Sequence, residues 1–183
     1  MPLSYNTGQQ RKRLQLFEKI FEYDTSRLAH SIILYGLNSQ LSYEFALELA
    51  RILNCTGDKS ANCACWNCQN INSNQHPSVK TYSNLNNKTT SKESQNVITI
   101  EQIHQLCGEI AVSSEYKRVY IICGEEKNSD DNYSCLPLTT DILKGESANA
   151  LLKSIEEPPK NTYFIFITKE FFYYSPAPNS TIL

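Results

Sequence analysis

Four cysteines lie close together in the chain and could bind a metal ion. Cys55, Cys63, Cys65 and Cys68 all fall within residues 55–68. Zinc prefers soft ligands in a tetrahedron, and the two-residue gap between Cys65 and Cys68 presents two sulfurs to one ion. Because four thiolates leave no position for an activated water, the predicted zinc site is structural rather than catalytic.

Other interpretations of these thiols stay open. They could be unligated, or Cys65 and Cys68 could be a redox pair, which is typical of a helix start just after a strand. The cluster follows a predicted helix and is expected in a loop, which favours the metal site. His76 could replace one cysteine, although a turn or capping role is favoured. The other cysteines are predicted to be ordinary small residues: Cys107, Cys123 and Cys135.

A second candidate site follows the apolar run at 31–35, where Gly36 opens a turn into a predicted helix. A working phosphate-binding loop reads G-x-x-x-x-G-K-[S/T], and Gly36 fits its first position. Leu41 replaces the second glycine, Ser42 the lysine and Tyr43 the small hydroxyl residue. These changes remove a flexible backbone, a charge for the phosphates and a Mg²⁺ ligand.

The acidic residue with which P-loop ATPases hold the metal ion is also missing. In P-loop ATPases this acidic residue lies at the end of a hydrophobic strand that follows the P-loop unit. Here the corresponding strand, at 117–123, ends in Cys123. Glu125 could substitute, but it is expected in a solvated loop. We therefore predict that the chain is not an enzyme in itself and does not use ATP as a cofactor. Nucleotide binding without hydrolysis stays open, because N–H groups at a helix start attract phosphate.

Strands and helices alternate, which predicts an α/β fold with a central parallel sheet flanked by helices. The expected strands are 31–35, 79–82, 117–123 and 162–168. The expected helices are 11–24, 40–54, 98–112 and 147–159. Thr99 is the predicted cap of the third helix, and Ser147 and Pro158 are the predicted start and end of the fourth. Two polar stretches, 83–96 and 124–146, are predicted loops.

Length and composition fit one soluble domain. The chain has 183 residues, a net charge of −2 and 40% hydrophobic residues. Its near-neutral balance argues against a DNA-coating protein. No apolar run reaches the roughly 18 residues of a membrane span, and no apolar stretch follows the basic N-terminus as in a secretory signal. No membrane contact is expected, and the predicted location is cytoplasmic.

Several segments together resemble the DNA polymerase III clamp-loader subunits, which are AAA+ proteins. The most specific is SANALLKSIEEPP at 147–159. Weaker matches are residues 27–30, the cysteine cluster, His76-Pro77, residues 98–103 and the strand after Lys117. The resemblance covers roughly residues 14–168, with an extra loop at about 127–146.

The resemblance implies one AAA+ P-loop-type domain over residues 1–183, with a zinc module at 55–68 inserted after the first helix of the P-loop unit. Gamma/tau subunits of this family carry an intact P-loop, whereas delta-prime subunits commonly carry a degenerate one and do not hydrolyse ATP. The changes at four positions favour the delta-prime branch: Leu41, Ser42, Tyr43 and Cys123. In this family, two residues usually separate the second and third cysteines of the zinc module. In this chain Ala64 alone separates Cys63 from Cys65.

The resemblance further implies assembly with gamma/tau and delta subunits, so that the complex loads the sliding clamp onto primer-template DNA during replication. A delta-prime subunit also contributes an arginine to a neighbour's ATP site, in a Ser-Arg-Cys motif. This sequence ends at Leu183, about where that motif should begin. The arginine is therefore not assigned, and a truncated chain without the lid and C-terminal collar domains is expected.

Alternatives come from other classes. A gamma/tau-type ATPase would need a lysine at 42 and an acid at 123. A zinc-binding nucleic-acid-binding module would need basic and aromatic residues around the cysteines, and residues 54–76 offer only Lys59 and Trp66. A decayed relative with no assembly role is a third alternative.

Overall fold

A computed structural model describes residues 28–36, 38–60, 62–86, 97–127, 133–139 and 141–169. The predicted helix at 11–24 lies outside these residues, as does the 87–96 part of the first predicted loop. Among the described residues, none of the helices combines the length and the apolar character that crossing a membrane requires.

Six strands are present in the described residues, and four of them form the central sheet. The strands are β1 (Ser31–Tyr35), β2 (Val79–Tyr82), β3 (Arg118–Ile122), β4 (Gly124–Lys127), β5 (Tyr133–Leu136) and β6 (Thr162–Thr168). The central sheet has the order β1-β6-β3-β2, and every pairing in it is parallel. The prediction of an α/β fold with a parallel sheet is confirmed. The carboxyl ends of these strands share one edge, where ligands bind in open α/β sheets.

Four α-helices lie among these strands. They are α1 (Ser39–Asn54), α2 (Trp66–Asn72), α3 (Ile100–Ala111) and α4 (Gly145–Glu156). The predicted Thr99 cap of α3 is confirmed, because the Thr99 side chain accepts from the Gln102 N–H while the Gln102 side chain accepts from the Thr99 N–H. The short helix α2 has no counterpart among the predicted elements.

The sheet is buried on both faces, which explains why β3 is a continuous apolar run rather than an alternating one. Val119 and Ile121 face one hydrophobic layer, and Tyr120 and Ile122 face the other. The first layer is formed mainly by α1: Ala46, Leu49, Ala50, Ile52 and Leu53. The second is formed mainly by α3 and α4: Ile103, Leu106, Ile110 and Leu151.

The predicted loop at 124–146 is wrong in its first half, where β4 and β5 form an antiparallel hairpin. Glu125 lies opposite Cys135 in this hairpin. Asn84, which lies outside the hairpin, binds the Glu125 backbone. Its side chain accepts from the Glu125 N–H at 2.8 Å and donates to the Glu125 C=O at 3.0 Å. Cys135 on β5 is buried in the first core layer. A two-stranded hairpin that is held by polar partners can form without alternating apolar residues. The polar sequence of this segment therefore indicated a loop.

Residues 83–86 of the other predicted loop also belong to the packed domain. Ser83 and Asn84 are buried, and Asn84–Asn86 is a 3₁₀ turn. The C=O of Ser83 accepts a hydrogen bond from the Gln102 side chain at 3.0 Å. Polar residues are thus buried here because partners distant in sequence satisfy their hydrogen bonds.

The predicted cap of α4 is wrong as well. The helix begins at Gly145 after Lys144, and Ser147 is buried within its first turn. The Ser147 hydroxyl instead donates to the C=O of Ile98 at 3.0 Å, a long-range interaction that no local pattern signals. The end of the helix is as predicted, because α4 stops at Glu156, shortly before Pro158.

Candidate metal centre and degenerate phosphate loop

The four cysteines meet at the end of α1. Cys55 caps the C-terminus of α1, Cys65 precedes α2, Cys68 lies in the first turn of α2, and Cys63 lies in the loop between the helices. Their sulfur atoms all lie within 4.8 Å of one another. Cys55 Sγ is 3.5 Å from Cys63 Sγ and 3.9 Å from Cys65 Sγ. Zinc–sulfur bonds of about 2.3 Å separate tetrahedral ligands by about 3.8 Å, so the cluster fits a metal ion such as zinc.

Gly57 makes this close approach of the sulfurs possible. A Cβ at Gly57 would lie 2.6 Å from Cys63 Sγ, a distance that any other residue would have to relieve by moving the ligand. Nearby, Asp58 accepts hydrogen bonds from the N–H and the hydroxyl of Ser60, at 3.1 and 3.0 Å. This turn fixes the loop that carries Cys63.

The thiols have unequal electrostatic environments. A hydrogen bond from the backbone of Cys68 lowers the pKa of Cys65 to about 5, so Cys65 is a thiolate at neutral pH. Burial raises the pKa of Cys68, and the positive charge of Arg51 opposes that rise. Arg51 is itself buried, and its guanidinium donates to both carboxylate oxygens of Glu48 at 2.8 and 2.7 Å. A cation held by Glu48 therefore lies close to the Cys68 thiol.

The expectation that the cluster sits in a loop is wrong in one respect. Cys65 and Cys68 stand at the start of α2, as in a redox pair, although α2 follows α1 and a loop rather than a strand. What favours a metal site is therefore the presence of Cys55 and Cys63 within reach of both sulfurs. All seven cysteines are free thiols.

His76 is a structural residue of this region, as favoured from the sequence. Its Nδ1 accepts from the N–H of Ser78 at 3.2 Å, and its Nε2 lies 3.3 Å from Asn67 Oδ1. The residue is only 3% exposed. Both ring nitrogens are engaged, so His76 fixes the turn after α2 and does not join the thiols.

Asn54 joins the cysteine module to the sheet. Its side chain donates to the C=O of Lys117 at 3.0 Å and accepts from the N–H of Lys117 at 3.0 Å. Its own C=O accepts from the Asn67 side chain at 2.6 Å. Asn54 is buried, so the end of α1, the start of β3 and α2 are tied together through one residue.

Replacing Asn54 with alanine is expected to lower the free energy of unfolding by about 2 kcal/mol, because the backbone N–H and C=O of Lys117 lose their partners. Urea-induced unfolding measures this change. The matched control is Asn70→Ala. It removes a solvent-exposed hydrogen bond from the Asn70 side-chain amide to the C=O of Trp66 and should cost well under 1 kcal/mol. Equal losses in the two variants would contradict the assigned role.

The helix start that would face a phosphate is capped by the chain itself. The Asn38 side chain accepts from the N–H of Leu41 at 3.0 Å, and the Ser42 hydroxyl donates to the Asn38 C=O at 3.4 Å. Gly36 has no positive φ, and its N–H donates to the C=O of Thr168 at 3.3 Å. The Asn38 cap was not predicted from the sequence, although an asparagine just before a helical pattern is the usual signal for a helix cap.

The residues at the other phosphate-loop positions are engaged in packing. The Tyr43 hydroxyl is hydrogen-bonded to Thr81 Oγ1 at 3.1 Å, and burial raises its pKa to about 12. Cys123 is 0% exposed, in the core layer beneath α1. Glu125, the possible substitute acid, accepts a hydrogen bond from the Ser83 hydroxyl. This local arrangement offers a tyrosine and a buried thiol where Mg²⁺ ligands would be required.

The β4–β5 hairpin packs against the first turn of α1. The N–H of Cys135 donates to Gln40 Oε1 at 3.1 Å, and the buried Cys135 side chain joins the same core layer as α1 and Cys123. The segment predicted to be a polar loop therefore contacts the helix start where a P-loop ATPase would bind phosphate.

Comparison with known proteins finds a matching family model, a curated relative and a solved structure. A family model described as DNA polymerase III, delta subunit, matches residues 9–171. DNA polymerase III subunit delta' of Haemophilus influenzae is 25% identical over 154 residues, which cover 83% of this chain and 41% of that protein. The chain thus spans about two fifths of that relative's length. A solved gamma subunit-related protein of DNA polymerase III from Thermotoga maritima matches with a TM-score of 0.48 and 18% identity, over 85% of this chain and 39% of the other.

Proposed function

This chain belongs to the DNA polymerase III delta-subunit family, among the clamp-loader subunits, and on that premise we propose that it is a delta-prime-type subunit that does not hydrolyse ATP. Its work is to bind other subunits, gamma/tau on one side and delta on another. The assembled complex then loads the sliding clamp onto primer-template DNA during replication. A cytoplasmic location and a single AAA+ domain at 1–183 stay predictions.

One observation carries the proposal that ATP is not hydrolysed. The first turn of α1 is closed by its own chain, through the Asn38 cap and the Gln40–Cys135 hydrogen bond. A phosphate would have to displace the Asn38 side chain to reach the backbone N–H of Leu41. Without a lysine at Ser42, no charge would offset that cost.

We further propose that the four cysteines hold a structural zinc ion. The sulfur separations fit four-coordinate zinc, and the depressed pKa of Cys65 supplies a thiolate at neutral pH. When bound, zinc would cross-link the end of α1 to the start of α2. The chain's own contributions are the Gly57 turn, which admits the Cys63 sulfur, and the charge of Arg51, which favours the thiolate form of Cys68.

The proposal is tested in a clamp loader reconstituted from this protein and the gamma/tau and delta subunits of the same organism. Ser42→Ala in this chain is expected to leave the ATPase rate within about twofold of the unmodified complex. Replacing the P-loop lysine of gamma/tau should lower it on the order of 100-fold, as removal of one stabilising group at the transition state does. A comparable loss with Ser42→Ala, or failure of the subunits to assemble, would contradict the proposal.

A further inference from the structure

An exposed aromatic surface lies on the cysteine module. Trp66, the single tryptophan of the sequence, is 54% exposed although it stands between two buried or half-buried cysteines. Its ring stacks on Tyr116 with centroids 5.9 Å apart and planes inclined by 24°. Its other ring neighbour is His76, at 5.7 Å. The indole is therefore supported from within the domain while much of its surface faces solvent.

This surface is held rigidly. His76 packs edge-on against Tyr116 at 5.0 Å and is fixed by its hydrogen bonds to Ser78 and Asn67. The Tyr116 backbone N–H donates to Ser114 Oγ at 3.2 Å. Trp66 directly follows Cys65, so a bound metal would anchor its backbone too. A pre-ordered aromatic ring loses little conformational entropy when a ligand stacks on it.

Two lysines lie at the same end of the domain. Lys117 follows Tyr116, and both its N–H and its C=O are bound by Asn54. Burial lowers the pKa of Lys117, and the charge of the nearby Lys59 lowers it further, so the two ammonium groups lie within electrostatic range. The carboxylate of Asp58, beside Lys59, is engaged by Ser60. The chain as a whole carries a net charge of −2, so this positive character is local.

We propose that Trp66, Tyr116, Lys59 and Lys117 form a binding surface for single-stranded nucleic acid, in which a base stacks on the exposed indole and phosphates lie against the lysines. Every base has a flat π-face, so stacking with adjacent cations binds single strands without requiring a particular sequence. An acidic peptide would satisfy the lysines but would leave the open face of the indole without a flat partner. Direct binding of a single strand at the metal module goes beyond the subunit-binding role proposed above.

The test follows Trp66 fluorescence as oligothymidylate is added to the metal-loaded chain. Saturable quenching is expected, because a base would stack on the indole. Trp66 is the only tryptophan of the sequence, so the signal reports this surface. With fluorescently labelled oligothymidylate, Trp66→Ala should bind about tenfold more weakly, because one stacked base is no longer supported. The double variant Lys59→Gln, Lys117→Gln should reduce the slope of log affinity against log salt by roughly 1.4, about 0.7 for each phosphate that the lysines no longer neutralise.

Controls separate this surface from general effects. Lys153→Gln removes an exposed lysine of α4, which packs on the opposite face of the sheet from α1, and should leave binding unchanged. Zinc content and circular dichroism verify that each variant is folded, and the double lysine variant serves as the test if Trp66→Ala loses its metal. Oligouridylate, added in parallel, distinguishes an RNA ligand from a DNA ligand.

Absence of quenching by both oligonucleotides in a folded, zinc-loaded chain would overturn the proposal. Quenching by polyglutamate but not by oligonucleotides would overturn it in favour of an acidic protein partner. Neither result would bear on the ATPase rates of the reconstituted clamp loader, so the two proposals fail independently.

Discussion

Replacing Cys68 with serine is expected to abolish stoichiometric zinc binding and to lower the free energy of unfolding by about 4 kcal/mol or more, the range in which loss of a metal site belongs. The Cys68 sulfur is buried and lies within 4.8 Å of the other three ligand atoms. Without it, the end of α1 and the start of α2 lose their cross-link.

Elemental analysis of zinc and urea-induced unfolding measure the two effects. Cys107→Ser is the matched control, because Cys107 is a partly buried free cysteine that lies away from the cluster, in the other core layer, 3.3 Å from Ser154 Oγ. It should retain one zinc ion per chain and should cost about 1 kcal/mol at most, because Ser154 remains as a hydrogen-bonding partner. Full zinc content in Cys68→Ser would show that the four thiols do not act together as ligands.

Restoring the missing acid at position 123 is expected to destabilise the protein rather than to create a metal site. Cys123 is 0% exposed, between the sheet and α1, with the hairpin residue Cys135 in the same layer. Cys123→Asp would place an unpaired carboxylate in this core, a change that costs about 3–5 kcal/mol. Cys123→Ser, which adds no charge, should cost about 1–3 kcal/mol. Thermal unfolding of both variants measures the difference.

The pH dependence of Cys123→Asp has a definite sign. Burial raises the pKa of a carboxyl group in the folded state above its unfolded value of about 3.9. The folded state then binds more protons than the unfolded state, so stability falls as the pH rises from about 4 towards the raised pKa. Cys123→Ser should show no such added dependence. A Cys123→Asp variant as stable as the original chain at pH 7 would mean that this position is open to water, as in a working ATPase.

The central sheet was predictable because its strands carry signals that are local in sequence. The continuous apolar runs that became β3 and β6 are buried on both faces, and few other structures accommodate such runs. The start of α3 was predictable for the same reason, since Thr99 and Gln102 form a capping box within one turn. The grouping of the four cysteines was predictable from their spacing alone.

The hairpin and the details of the site were not predictable, because their stabilising interactions join residues far apart in sequence. Gln40 meets Cys135, and Asn84 meets Glu125. Asn54 and Arg51 read locally as ordinary residues of an amphipathic helix. Their roles became evident only when the helix end was placed beside Lys117 and the thiols. Gly57 indicated only a turn beside Cys55, since its need for space comes from the Cys63 sulfur, which the loop brings back to it.

Equilibrium binding of ATP with Mg²⁺ to the zinc-loaded chain, followed by an assay for released phosphate, tests the central claim most directly. The Asn38 cap, the hairpin interaction at Gln40 and the losses at Ser42 and Cys123 predict no saturable binding at millimolar ATP and no phosphate release. Micromolar binding with turnover would contradict the assignment of this chain as a subunit that does not hydrolyse ATP.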